Sequence, residues 1–461
     1  MNQDKRLTDL ATRPVGRLLW QYSLPAVVGM LVMSLYNVVD RIFIGQWVGP
    51  DAIAGLAITF PLMNLSAAVG ILVGVGSTAR LSIVLGEKNI ARAQEILGNA
   101  LTLTIINAVV YIALFAIFMD TMLHLFGASE ATLPYARMYM VPLLPGLLLT
   151  NVTYSFNNLM RASGYPRRAM YTMFIGAIVN TALDPLFIYV FGWGIRGAAY
   201  ATDIAMLTSA AFVMAHFMRK DVTLRFHRGT FRLRWRIVAA VVPLGAAPTL
   251  VNAAGCVINA IINNSLLRYG SDRDIAAAGI MITYTSLLTS VVLGVCQGLQ
   301  PILGYNYGAG HLHRLRRTFW LAVGAATVVT AVGGVFGLMF PREVGMAFST
   351  DSALLDATET ALSCCLLVFP MVGFQIISTT LFQSIGMAMK SIVVSLMRQV
   401  VFLIPLLFIL PPALGLRGVW WSFPASDALA TIATLAMVVW QMRHIGRISP
   451  IGPAGDSAKN L

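Results

Sequence analysis

Residues 96–118 read ILGNALTLTIINAVVYIALFAIF, a run of 23 positions without one Asp, Glu, Lys or Arg. A helix rises ~1.5 Å per residue, so about 20 apolar residues cross the hydrocarbon of a bilayer. The run is too long and too continuous for the alternating strands of a membrane barrel. The same ruler divides the 461-residue chain into twelve such runs: 18–40, 53–78, 96–118, 137–160, 169–191, 197–218, 237–264, 276–298, 318–340, 361–382, 392–410 and 417–442. Composition agrees, with 57% hydrophobic residues, 11% charged residues and a mean hydropathy of +0.76. Soluble domains carry about 25% charged residues. A soluble enzyme, a nucleic-acid binder and a secreted disulfide scaffold are therefore disfavoured, and an all-α integral membrane protein partnered by the lipid bilayer is predicted. The net charge of +13 is spread over the short connections rather than gathered into a nucleic-acid patch.

Those connections also set the orientation. The N-terminus, 80–92, 161–168, 219–236, 314–317, 390–398 and the C-terminus hold 25 of the 32 Lys and Arg. The alternate set holds Arg41, Arg137, Arg196, Arg268, Arg273, Arg342 and Arg417. The positive-inside rule then places both termini in the cytoplasm. The first apolar run is too long for a signal-peptide core and lacks a cleavage pattern, so it reads as a retained span.

The longest polar connection, 219–236, separates residues 1–218 from residues 237–443, each with six spans, and a cytoplasmic tail follows at 444–461. The halves resemble each other. Gly76, Gly86, Leu159 and Gly164 recur 222 positions later as Gly298, Gly308, Leu381 and Gly386. Arg196-Gly197 returns as Arg417-Gly418, and Leu24-Pro25 resembles Val242-Pro243. A near-constant offset marks an internal repeat. Two pseudo-symmetric six-helix bundles, with a substrate site between them, are one plan that secondary transporters use.

Charge within a span is costly and commonly functional. Asp40, Asp184 and Asp427 fall inside apolar runs, with Asp203 at the border. In the predicted orientation Asp40 lies near the outer end of the first span, and Asp184 lies ~10 Å below the outer end of the fifth. Thr202 shares that depth on the sixth. Asn180 and Asp184, and likewise Tyr36 and Asp40, stand four residues apart on one helix face. Pro185 has no N–H, so it is expected to free the carbonyl of Thr181, bend the span and draw Asp184 out of regular helix geometry. Two carboxylates, an amide oxygen, a hydroxyl and loosened carbonyls suit a proton relay or a small hard cation. The competing reading is a polar clamp that only packs the bundle.

At these residues the chain resembles the multidrug and toxic compound extrusion (MATE) family, its MepA-like bacterial branch in particular. The matching segments are Tyr36-Asn37-Val38-Val39-Asp40-Arg41-Ile42-Phe43-Ile44-Gly45, Arg161-Ala162-Ser163-Gly164, Asn180 with Asp184-Pro185, and Gly194-Ile195-Arg196-Gly197-Ala198-Ala199 leading to Thr202. In the second half, Gln297-Gly298-Leu299-Gln300-Pro301 leads into Gly304-Tyr305-Asn306-Tyr307-Gly308-Ala309-Gly310. The resemblance implies an efflux antiporter of the bacterial cytoplasmic (inner) membrane, expected to be a monomer. It would export small amphipathic, often cationic, drug-like compounds by alternating access in exchange for H⁺ or Na⁺, with no other cofactor. It places the cation and proton site on Asp40, Asn180, Asp184 and Thr202. Some relatives carry acids in the seventh and tenth spans; here the seventh offers Asn252, Asn259, Asn263 and Asn264, and the tenth offers Gln375.

Tyr36, Asn37, Pro185, Asn259, Gln297, Gln300, Gln375 and Asp427 are expected as supporting or cavity-lining groups, with interhelical hydrogen bonding as the plainer role of the glutamines. Gly70, Gly74 and Gly76 make a small-residue packing face. The cysteines, Cys256, Cys296, Cys364 and Cys365, read as small buried hydrophobes, and neither they nor the six His show metal-ligand spacing. A flippase of lipid-linked sugars is the alternative; it would need several basic groups for phosphates, and only Arg398 and Arg80 lie near the membrane interior. An intramembrane enzyme lacks a nucleophile–base pair or cofactor motif, and no phosphate-binding loop points to ATP.

Overall fold

The computed structural model describes residues 8–48, 50–130, 132–227 and 229–445. The side chain of Cys256 and most of the expected tail lie outside this description. Every regular element among the described residues is helical. In chain order, α1 is Val15–Trp47, α2 Pro50–Gly86, α3 Ile90–Leu125, α4 Leu133–Ala162, and α5 Pro166–Pro185 extended by a π-helical turn, Leu186–Val190. They are followed by α6 Gly194–Met218, α7 Trp235–Tyr269, α8 Asp272–Gly308 and α9 Leu312–Met339. After a short helix, Pro341–Met346, comes α10, in two pieces, Ser352–Cys365 and Pro370–Ser384, bent by 57° where they meet. Then α11 runs Ala388–Leu414 through π turns at Met397–Leu403, and α12 is Leu416–His444.

Ten of these helices, and α10 as a broken pair, are long and apolar enough to cross a bilayer. The remaining long one, α4, has 30 residues and a hydropathy lowered by the polar Asn151, Ser155, Asn157 and Arg161, all of them buried. Arg161, counted above with the cytoplasmic cations, is instead a buried side chain that donates to Asn157 and, at 3.0 Å, to Asn158. The architecture is thus that of an all-α membrane protein with twelve spanning helices.

The chain forms two compact units. The first contains residues 21–81 and 90–253. In it Gly70 and Gly74 of the small-residue face of α2 lie on Asn151 and Ser155 of α4, whereas Gly76 lies against Val241 and Gly245 of α7. Asn151 donates to Ser66 at 3.1 Å and Ser155 to the Gly70 carbonyl at 3.0 Å, so the close approach is also hydrogen-bonded. The connection after α6 is tied down by Asn99, which donates to the Thr230 carbonyl at 3.1 Å and accepts from Arg234 N–H at 2.7 Å. The second unit contains residues 8–20, 82–89 and the chain from 254 onward. Arg314 fastens its first segment, donating to the carbonyls of Leu10 at 3.3 Å and Arg13 at 2.6 Å.

Candidate functional site

In the first unit, α1, α4, α5 and α6 bring polar side chains to one buried place. Asp40, Asn180, Asp184 and Thr202 are all buried, Asp184 completely. The carboxyls of Asp40 and Asp184 lie within hydrogen-bonding reach of each other. Asn180 donates its amide to Asp184 Oδ1 at 3.4 Å and to Thr202 Oγ1 at 3.3 Å, linking α5 to itself and to α6. Three buried oxygens of the cluster, Asp40 Oδ1, Asp184 Oδ2 and Asn180 Oδ1, have no hydrogen-bond donor. Buried acceptors are ordinarily satisfied. A set of convergent oxygens without donors fits a proton or a small hard cation, both of which supply the missing positive charge.

Tyr139 on α4 belongs to the same cluster. It is buried, stands beside Thr202 and lies within electrostatic range of both carboxyls. Sequence reasoning missed it, because no spacing separates a tyrosine that reaches an ion site from one that packs a core. Tyr36, half-buried, stands near both Asp40 and Asp184. Asn37 is exposed and turns its amide to the Met33 carbonyl of its own helix at 2.7 Å. Asp203 faces the backbone of Gly146 on α4.

Pro185 departs from expectation. Asp184 stays within the α-helix, and Pro185 itself has helical angles, φ −58° and ψ −39°. The disturbance appears beyond it as a change of register, with Phe191 N–H bonding the Leu186 carbonyl five residues back at 2.9 Å. Widening the helix into a π turn accommodates the missing donor without unwinding the carboxylate.

The remaining expected groups lie elsewhere. Asn259 is exposed and Gln297 half-buried. Gln300 and Gln383 pair amide to amide at 3.4 Å. Gln375 donates to the Asp427 carbonyl at 2.8 Å and to Thr431 Oγ1 at 2.7 Å, while Asp427 itself meets Arg398. Cys296 and Cys365 are buried and Cys364 is half-buried. Among the described residues, no group of three or more His, Cys, Asp or Glu could hold a metal ion.

A multi-pass helical protein with a donor-poor carboxyl pair buried inside one bundle has the construction of a membrane transporter. The MatE family model matches residues 25–186 and again 248–409. The chain belongs to the MatE family, whose members are transporters of small molecules across membranes and not enzymes. The double match, offset by 223 positions, is the repeat seen in the glycines.

The chain is 29% identical over 437 residues to a FAD transporter of Shewanella oneidensis, covering 92% of this chain and 94% of that protein. It is 24% identical over 438 residues to the multidrug export protein MepA of Staphylococcus aureus, covering 95% and 96%. Among solved structures it resembles MATE in the bent conformation, with a TM-score of 0.91, 23% identity and coverage of 97% and 99%. It also resembles an outward-facing multidrug resistance MATE transporter of the MOP superfamily, with a TM-score of 0.90, 24% identity and coverage of 95% and 98%.

Proposed function

We propose that the chain is a secondary active efflux antiporter that exports amphipathic, often cationic compounds in exchange for H⁺ or Na⁺. Asp40, Asn180, Asp184 and Thr202 form its coupling site. The observation that carries this reading is the pair of buried carboxyls within reach of each other, each with one oxygen that lacks a donor, beside the equally donorless Asn180 Oδ1. The proton or cation that enters removes the repulsion between the two carboxylates and ties α1 to α5. Exchange requires only that ion and drug favour different conformations of the protein. In this reading the protein works as a monomer in a bacterial inner membrane with both termini cytoplasmic, and residues 1–218 and 237–443 are its two bundles. The similarity to MepA supports multidrug export.

A second reading, transport of an anionic nucleotide-like compound, is favoured by the similarity to a FAD transporter. Transport of a cationic dye in proteoliposomes, with proton and sodium gradients imposed separately, tests the first. Efflux driven by one gradient is the expected result. Dye movement indifferent to both gradients would overturn it.

A further inference from the structure

We infer that Arg398 recognises the acidic group of a substrate, so that the transported class includes amphipathic compounds bearing a carboxylate or phosphate. The inference rests on the export reading and extends it. Arg398 sits near the middle of α11, where the helix widens into π turns, and Asp427 near the middle of α12. Their contact is Arg398 Nε to Asp427 Oδ1 at 3.3 Å. A guanidinium at membrane depth is too costly to face lipid, so it faces protein or water.

The two partners are unequal. The Asp427 side chain is 11% exposed, and Arg398 is 32% exposed. The turn that carries Asp427 is held by Gln375, whose amide donates to the Asp427 carbonyl at 2.8 Å. Thr431 Oγ1 donates to the same carbonyl at 2.7 Å and accepts the Gln375 amide. The backbone at Asp427 is thus held and its carboxylate is nearly buried, so the guanidinium is the member a ligand can reach. Asp427 engages Nε, whereas a guanidinium presents a fork of five N–H donors suited to a second, bidentate oxyanion. Being already paired, Asp427 offers no free negative charge to a cation. The accessible charge of the pair is positive. Asp427 acts as an internal placeholder that keeps Arg398 neutralised until an acidic substrate shares or takes over the fork.

Two xanthene dyes of similar shape and opposite charge, carboxyfluorescein and rhodamine 123, test this in proteoliposomes. Arg398→Gln should raise the KM for carboxyfluorescein about tenfold or more and leave that for rhodamine 123 within about twofold. Asp427→Asn, by removing the competing carboxylate, should lower the KM for carboxyfluorescein. Opposite signs distinguish recognition from a structural clamp, which both variants would damage alike. Arg398→Lys keeps the charge, loses the fork and serves where Arg398→Gln fails to insert; its KM for carboxyfluorescein should also rise. Equal effects on both dyes, effects of the same sign in Arg398→Gln and Asp427→Asn, or an unchanged KM in Arg398→Lys would overturn the inference. Wild-type protein that moves rhodamine 123 but not carboxyfluorescein refutes the inference and leaves export standing. Movement of neither dye under an imposed gradient refutes both.

Discussion

Gly86 and Gly308 each lie against a backbone carbonyl of the other's neighbourhood: a Cβ on Gly86 would strike the oxygen of Tyr305, and one on Gly308 that of Ile83. Both the glycines and the carbonyls stand 222 positions apart, so the sequence repeat is a reciprocal contact in space. The obstructing atoms are backbone and cannot rotate away. Gly308→Ala is therefore expected to lower stability by ~1–3 kcal/mol, as overpacking does. Gly324→Ala on α9, with nothing within 4 Å of its Cβ, should be neutral or slightly stabilising. Thermal unfolding of the purified protein in detergent compares the two; equal melting temperatures would mean that the contact is dispensable.

Asp40→Asn and Asp184→Asn keep the size of each side chain and remove one of the two charges in the pair. Both variants should insert and accumulate normally yet lose gradient-driven efflux. Dye efflux from cells, normalised to the amount of protein in the membrane, checks this. Wild-type rates in both variants would remove the pair from coupling.

Thr202→Ala and Tyr139→Phe each delete one hydroxyl from the same cluster and no charge. A neutral hydrogen bond contributes about 0.5–1.5 kcal/mol, so a loss of roughly threefold to tenfold in ion affinity is expected. Titrating transport against the coupling ion at fixed drug concentration measures it. A loss as complete as that of Asp184→Asn would assign the hydroxyls a larger part.

If sodium binds between Asp40 and Asp184, it competes with protons for the same oxygens. As pH falls, protons occupy the pair and sodium must displace them, so the apparent sodium affinity should weaken from about pH 8 to about pH 5. Calorimetric titration of the purified protein at several pH values follows this. A sodium affinity independent of pH separates the two ions.

Pro185→Ala restores the N–H that α5 lacks at the edge of its π turn. The expected result is slower coupled efflux with ion binding largely kept, because the carboxylates stay in place while the segment beyond them stiffens. Turnover equal to wild type, beside an inactive Asp184→Asn control, would dissociate this helix irregularity from the transport cycle.

The sequence by itself determined the fold class, the number of spans and the repeat. The cost of polar groups in hydrocarbon acts on each segment separately, so a helix that crosses a membrane is written in its own composition. For the same reason it singled out Asp40 and Asp184: a carboxylate in an apolar run is rare whatever surrounds it. Asn180 and Thr202 followed from helical spacing and common depth, and the structure brings all four together. Contacts between helices were decided only by tertiary structure, because they depend on how each helix is rotated about its axis, and packing sets that rotation. Tyr139 joins the carboxyls from a helix with no acid of its own within the cluster, and Asn37, one residue from Tyr36, turns away to its own backbone. Arg161 looked like a loop cation and is buried, and Asp184, expected to leave regular helix geometry, stays helical while the hydrogen-bond register shifts beyond Pro185. Arg398 and Asp427, unremarkable in spacing, become partners because α11 and α12 happen to present them to each other.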